Sequence, residues 1–299
     1  MDLKRYSDRE LASLLPWPAP DANKYTRGKL VLVAGCARYP GAACLAARAA
    51  SRMGAGYVHV SCADGAVSTV RSFQPSLVVS PWSQGVPLGA RADERKPVAY
   101  AVGPGFDAAD EQCRQIALAV LQSAADSSVP LIVDGGALAA LSDDRGLGLL
   151  ASCAKSGAPA VVTPHGGEAA RLAASAGVSE FGGLPGDDRG QADFARRLSG
   201  ALRAVVVLKG PDTYVAFGDE VAVVTEGTAA LAKAGTGDVL AGLVGGLLAQ
   251  GTAPLDAAVL ATALHARAGA VAADRLTSIC VLPEDVAEAV PDAIRSLLR

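Results

Sequence analysis

Only three histidines, His59, His165 and His265, occur in the 299 residues, too few for a metal site built on imidazole. The six cysteines (Cys36, Cys44, Cys62, Cys113, Cys153 and Cys280) are scattered without a C-x-x-C pair. They read as reduced, mostly buried thiols, and the expected compartment is the cytoplasm. Aromatic residues are scarce at 4% and the net charge is −3. The chain therefore lacks both the stacking surface and the basic footprint of a nucleic-acid binder, and no nucleic-acid partner is expected. The first ten residues, Met1 to Glu10, are charged and contain no apolar core for a signal peptide. No long uninterrupted apolar run reads as a membrane span, so no membrane partner is expected either. Three phosphate or nucleophile signatures are also missing: the P-loop G-x-x-x-x-G-K-[ST], the dinucleotide fingerprint G-x-G-x-x-G, and G-x-S-x-G.

Apolar residues are abundant, at 51%. They come in short runs that alternate with longer Ala-rich stretches. Lys29–Gly35, Gly56–Cys62, Val98–Gly103, Pro130–Asp134, Ala160–Thr163 and Ala204–Gly210 read as strands. They are continuous rather than alternating in polarity, as expected of strands covered on both faces. Gly41–Met53, Ala108–Ala125, Glu168–Ala176 and Gln191–Leu202 read as the helices between them. Such alternation predicts a three-layer α/β/α fold with a largely parallel central sheet. Beyond Gly210 a hairpin, Thr213–Phe217 with Val221–Thr225, is followed by helices over 236–250, 254–273 and 283–298. The glycine-rich stretch 179–190 reads as a mobile surface loop. No linker divides the chain, so one domain over 1–299 is expected.

Asp238 is the most informative residue. It lies in Ala234-Gly-Thr-Gly-Asp238-Val-Leu-Ala-Gly, and no other residue between Lys233 and Asp256 is charged. A helix apolar all round belongs in an interior. Its free first-turn amides favour an anion such as phosphate, and a carboxylate beside them suits a general base acting on an attacking hydroxyl. The plainer alternative is that Asp238 is the helix N-cap. Strand ends add Val102-Gly-Pro-Gly105, Thr163-Pro-His165-Gly-Gly-Glu168 and Leu208-Lys209-Gly210-Pro-Asp-Thr213. In a parallel sheet these ends share one edge, where ligands collect. Taken singly, Gly-Pro-Gly is a turn and His165 a surface residue whose Glu168 charges a helix start. Lys209, after five apolar residues, calls for a phosphate or carboxylate partner. His265, in an apolar helix, reads as a packed core histidine.

These segments together resemble a known family. Ala-Gly-Thr-Gly-Asp is similar to the anion-hole motif of ribokinase-like kinases. Further segments narrow the likeness: Lys24-Tyr-x-Arg-Gly-Lys, Val-Ala-Gly with Pro-Gly-Ala-Ala, Gly-Ala-Gly-Tyr-Val, Val-Gly-Pro-Gly, Asp134-Gly-Gly-Ala-Leu138, Thr-Pro-His-x-Gly-Glu and Val-Leu-Lys-Gly-Pro-Asp-Thr. In that order, from Lys24 to the last helix, they resemble the ADP-dependent NAD(P)H-hydrate dehydratases. The resemblance implies dehydration of the S-epimer of NADH or NADPH hydrate (NADHX or NADPHX), with ADP or ATP as cosubstrate and Mg2+ as cofactor. The ring hydroxyl is phosphorylated, and phosphate then leaves. It implies Asp238 as base, Gly235, Thr236 and Gly237 as anion hole, and Ala42, Gly105, His165 and Asp238 as hydrate contacts. Lys209, Gly210, Pro211, Asp212, Thr213 and Gly237 would hold the nucleotide; no metal ligands are identified. A homo-oligomer is the expected assembly. Ala234 stands where relatives often have Gly. The 28 residues before the first strand are too few for the epimerase domain that some relatives carry. The alternative is a ribokinase-like small-molecule kinase of hydroxyethylthiazole or hydroxymethylpyrimidine type. A catalytically dead nucleotide sensor is less consistent with Asp238, because a sensor needs no base facing its phosphate.

Overall fold

The computed structural model describes residues 3–91, 93, 95–179 and 188–299. Its elements run, in chain order, α1 (Asp8–Ser13), β1 (Lys29–Val33), α2 (Pro40–Arg52), β2 (Tyr57–Cys62), α3 (Val67–Phe73), β3 (Val78–Pro81), β4 (Val98–Val102), α4 (Glu111–Ser127), β5 (Leu131–Val133) and α5 (Asp144–Lys155). There follow β6 (Val161–Val162), α6 (Gly166–Ser175), α7 (Asp188–Leu202), β7 (Val205–Leu208), β8 (Thr213–Phe217), β9 (Glu220–Val224), α8 (Thr236–Ala249), α9 (Pro254–Leu276) and α10 (Pro283–Ser296). Every strand expected from the sequence is present. Of the loop expected over 179–190, residues 180–187 lie outside the described residues.

The strands form one nine-stranded sheet in the order β3-β2-β1-β4-β5-β6-β7-β8-β9. Pairings from β3 through β7 are parallel, and β8 and β9 add an antiparallel hairpin. On β1, Leu30 and Leu32 face a core shared with α2, α8, α9 and α10, whereas Val31 and Val33 face a core shared with α4, α5, α6 and α7. Both faces are covered, which explains the lack of polar alternation. From β1 the chain builds outward through β2 and β3, then returns to place β4 on the opposite side of β1. The switch point, where ligands gather in open α/β sheets, therefore lies between the carboxyl ends of β1 and β4.

Helix α8 is wedged between α2, α9 and the sheet, and Val239 to Ala249 are all buried. Burial of each Val or Leu contributes on the order of 1.5–3 kcal/mol. Its glycines permit that approach: a Cβ on Gly242 would stand 2.2 Å from the Ala46 carbonyl oxygen. Helix α9, at 23 residues, is long and apolar enough to cross a membrane, but 67% of its most apolar window is buried within the fold.

Candidate active site

The switch point is a close meeting of backbones. The Gly35 amide donates to the Pro104 carbonyl at 2.9 Å, and the Cys36 amide to that of Gly105 at 2.9 Å. Gly105 has φ 69°, and a Cβ there would stand 2.5 Å from the Tyr39 carbonyl oxygen and 2.8 Å from Ala42 Cβ. Only glycine fits that corner, and the structure brings Gly105 against Ala42, two of the residues that the resemblance assigns to the hydrate. Gly103 (φ 113°) passes close to the end of β5, where a Cβ would lie 1.9 Å from the Asp134 carbonyl oxygen.

The N-terminus of α8 decides between the two readings of Asp238, as a helix cap or not. The N-cap is Gly235, held left-handed at φ 101°, and Asp238 is the third helical residue. The alternative in which Asp238 caps the helix is therefore excluded: its side chain makes no hydrogen bond among the described residues. The left-handed residue of this turn is Gly235, where a Cβ would come within 2.8 Å of Leu45 Cδ1 and 2.9 Å of Pro283 Cγ. The Thr236 hydroxyl donates to the carbonyls of Leu231 (2.7 Å) and Lys233 (2.9 Å), and its amide donates to Lys233 at 3.3 Å. Among the described residues no such partner takes the amides of Gly235, Gly237 or Asp238. Those amides are free for an anion, and the Thr236 amide is already engaged.

Around them lies a charged cluster. Asp134, 3% exposed, ends β5, and its Oδ1 accepts from Thr163 Oγ1 at 2.5 Å and from Lys209 Nζ at 3.1 Å. Lys209 ends β7, where its amide donates to the Pro164 carbonyl at 2.9 Å beside His165. Burial works to lower the lysine's proton affinity, but the charges of Asp134, Glu168 and Asp238 outweigh it and hold Lys209 protonated. A Cβ on Gly237 would stand 3.6 Å from Lys209 Nζ, so the ammonium sits beside the anion-binding turn. Burial, reinforced by the negative charge of Asp134 and opposed by Lys209, pushes the Asp238 carboxyl up to about 7. That value suits a base near neutral pH. Asp134 is a member of this cluster that the sequence reading did not assign to the site. Its signal was a carboxylate directly after an apolar strand, the same signal that marked Lys209.

His165 is the exposed N-cap of α6. Its Nδ1 accepts from the Gly167 amide at 3.1 Å, while its own amide donates to Glu168 Oε2 at 2.8 Å. It shares the sheet edge with Lys209 but makes no hydrogen bond to Asp238. A cavity of about 560 Å³ opens beside the α8 terminus, lined by Lys209, Gly210, Pro211, Thr213, Thr236 and Gly237. Val224, Leu231, Leu240 and Ala266 supply apolar wall. A charged end and an apolar body at this volume suit a nucleotide-sized ligand. Of the five consecutive residues expected to hold the nucleotide, Asp212 is not part of the lining. His265, expected as a packed core histidine, is instead half-buried and lines this cavity; desolvation of its ring pulls it down to about 4, so it is neutral. Among the described residues no group of three or more His, Cys, Asp or Glu could hold a metal ion.

The family model described as NAD(P)H-hydrate dehydratase matches residues 30–292. The chain is 33% identical to the ADP-dependent (S)-NAD(P)H-hydrate dehydratase of Xanthomonas campestris, over 95% of this chain and 94% of that one. It is 38% identical to the bifunctional NAD(P)H-hydrate repair enzyme Nnr of Mycobacterium tuberculosis over 84% of this chain, and it spans 47%, about half, of that longer protein. In three dimensions it resembles the ADP/ATP-dependent NAD(P)H-hydrate dehydratase of Bacillus subtilis, crystallised with ATP and Mg2+. The TM-score is 0.78 at 26% identity, and the match covers 99% of each chain.

Proposed function

The chain belongs to the NAD(P)H-hydrate dehydratase family, and we propose that it restores NADH or NADPH from the S-epimer of the hydrate, with ADP or ATP as cosubstrate. The observation that carries this reading is Asp238: a carboxylate without a hydrogen bond, raised to about 7, at the mouth of a helix whose first amides are free. A carboxylate opposes phosphate binding at such a terminus. Its presence is explained if it removes a proton there.

In the reaction that follows, the ring hydroxyl of the hydrate attacks the terminal phosphoryl group while Asp238 takes the hydroxyl proton. An O–P bond forms, the phosphoanhydride bond breaks, and AMP leaves from ADP, or ADP from ATP. The C–O bond then breaks with its electron pair going to phosphate, a proton leaves the adjacent ring carbon, and the double bond returns. The free amides beside Gly235–Gly237, together with Lys209, would stabilise charge on the phosphoryl group without reorganising. Ala42, Gly105 and His165 would contact the hydrate, and Lys209 to Thr213 with Gly237 the nucleotide. Mg2+ in such sites is held largely by the substrate phosphates, which fits a site where, among the described residues, no group of three His, Cys, Asp or Glu could hold a metal ion. When bound, it would neutralise phosphate charge.

We take residues 1–299 as one dehydratase domain, acting in the cytoplasm as a homo-oligomer. The test is to supply NADHX with ADP or ATP and Mg2+ and to follow the reduced-nicotinamide absorbance band together with inorganic phosphate. Return of the band with stoichiometric phosphate is expected. Accumulation of a stable phosphoester would instead favour a small-molecule kinase of hydroxyethylthiazole or hydroxymethylpyrimidine type.

A further inference from the structure

Three carboxylates, those of Asp134, Glu168 and Asp238, bear on the Lys209 ammonium, and of these Asp134 is the one paired with it. Lys209 Nζ lies 3.1 Å from Asp134 Oδ1, whereas Asp238 makes no ion pair or hydrogen bond among the described residues. The pairing is built in. Asp134 is almost wholly buried, and the Thr163 hydroxyl fixes the same Oδ1 that accepts from Lys209. Under Asp134, Gly103 turns at φ 113° so that the chain can pass its carbonyl. If Lys209 paired with Asp238 instead, two things would be lost together. The base would lose proton affinity to an adjacent cation, and the phosphate turn would lose the cation beside Gly237.

We propose that Asp134 is a positioning residue: it holds the Lys209 ammonium at the phosphate-binding turn and out of an ion pair with Asp238, leaving Asp238 free to accept a proton. The inference rests on the dehydratase reading given above. The groups that set this balance come from four elements and their ends. Asp134 (end of β5) and Lys209 (end of β7) face Asp238 (α8); Glu168 (α6) faces Lys209. His265 on α9 also feels the Lys209 charge but is neutral. Asp134 acts on Asp238 in one direction by two routes: its negative charge repels a second one, and its pairing withholds the cation.

The test compares wild type, Asp134→Asn and Thr163→Val in the pH dependence of kcat/KM for NADHX and in KM for ADP, with thermal melts to verify folding. In Asp134→Asn the acid limb should move to lower pH by about one unit, the usual scale for a neighbouring charge, and the ADP KM should rise several-fold. Thr163→Val keeps the charge but loosens the carboxylate, so the limb should stay while the ADP KM rises. A purely structural role for Asp134 would lower stability without moving the limb; an unmoved limb in a folded Asp134→Asn variant overturns the proposal. If that variant does not fold, an unchanged ADP KM in Thr163→Val overturns it. Absence of NADHX turnover in wild type would defeat the dehydratase reading instead. Calorimetric titration with ADP would then still decide whether Asp134 positions Lys209, by weakened or unchanged binding in Asp134→Asn.

Discussion

Asp238 stands three positions beyond Gly235, the N-cap of α8, so its carboxylate lies at the anion-binding turn without capping it. Asp238→Asn therefore removes a base and no cap. Activity should fall by about two to four orders of magnitude, the range for losing general-base help. Steady-state turnover of NADHX with ADP measures it, and near-normal turnover would show that Asp238 does not accept the proton.

The same carboxylate makes stability depend on pH. Its folded-state pKa, about 7, lies above the ordinary aspartate value of 3.8. The folded protein therefore holds the proton more tightly than the unfolded chain. The resulting stabilisation is complete below about 4 and is lost as pH rises through about 7. Asp238→Asn should melt higher than wild type at pH 8, with the gap closing towards pH 4. Equal gaps at both pH values would contradict a raised carboxyl.

Activity should move the opposite way. Only ionised Asp238 accepts a proton, so kcat/KM for the hydrate should rise with pH along a limb centred near 7. A profile flat from pH 5 to 8 would point to another base.

The sheet was legible in the sequence because its strands are short, apolar and covered on both faces, a pattern that Leu30 to Val33 show in four residues. β3 was not, since Val78–Pro81 is a four-residue edge strand that is only partly buried and ends in proline. α5 was hidden by Gly146 and Gly148 within its first turns, although a Cβ on Gly146 would stand 2.0 Å from the Ala140 carbonyl oxygen. At the site, Lys209 was legible from a charge placed after an apolar strand. Asp134 carries the same signal, but its meaning depends on a partner 75 residues away, which spacing along the chain does not reveal. The sequence left open whether Asp238 caps the helix, because the choice falls to the left-handed turn at Gly235, which spacing along the chain does not show.

Lys209 and His165 should separate the two ligands. Lys209→Ala should weaken ADP binding more than binding of a reduced dinucleotide, and should also destabilise the fold by leaving Asp134 without its cation. A fully buried broken pair costs roughly 3–5 kcal/mol; Lys209, with a side chain 22% exposed, should cost less. His165→Ala should weaken dinucleotide binding more than ADP binding, and the lost cap should cost about 1 kcal/mol. Calorimetric titration of both variants with both ligands checks this. Loss of the same ligand to the same degree would collapse the two subsites into one.

Gly235 and Gly237 make a sharper contrast, because the same kind of substitution should fail for different reasons. Gly235 is left-handed, and a Cβ there would press on Leu45 and Pro283, so Gly235→Ala should lower the melting temperature as well as activity. Gly237 lies within the helix, and a Cβ there meets only Lys209 Nζ at an ordinary contact distance of 3.6 Å. Gly237→Val should therefore fold, since valine has a somewhat higher helix propensity than glycine. Its side chain would instead fill the space beside the free amides and the ammonium. If a phosphorylated hydrate precedes elimination, nucleotide cleavage and NAD(P)H recovery are coupled one to one in wild type, and Gly237→Val should stop both together. The check is simultaneous measurement of AMP or ADP release and of the reduced-nicotinamide band. Recovery of NAD(P)H without nucleotide cleavage would reject the phosphorylated intermediate, because the hydroxyl would then have left without receiving a phosphoryl group.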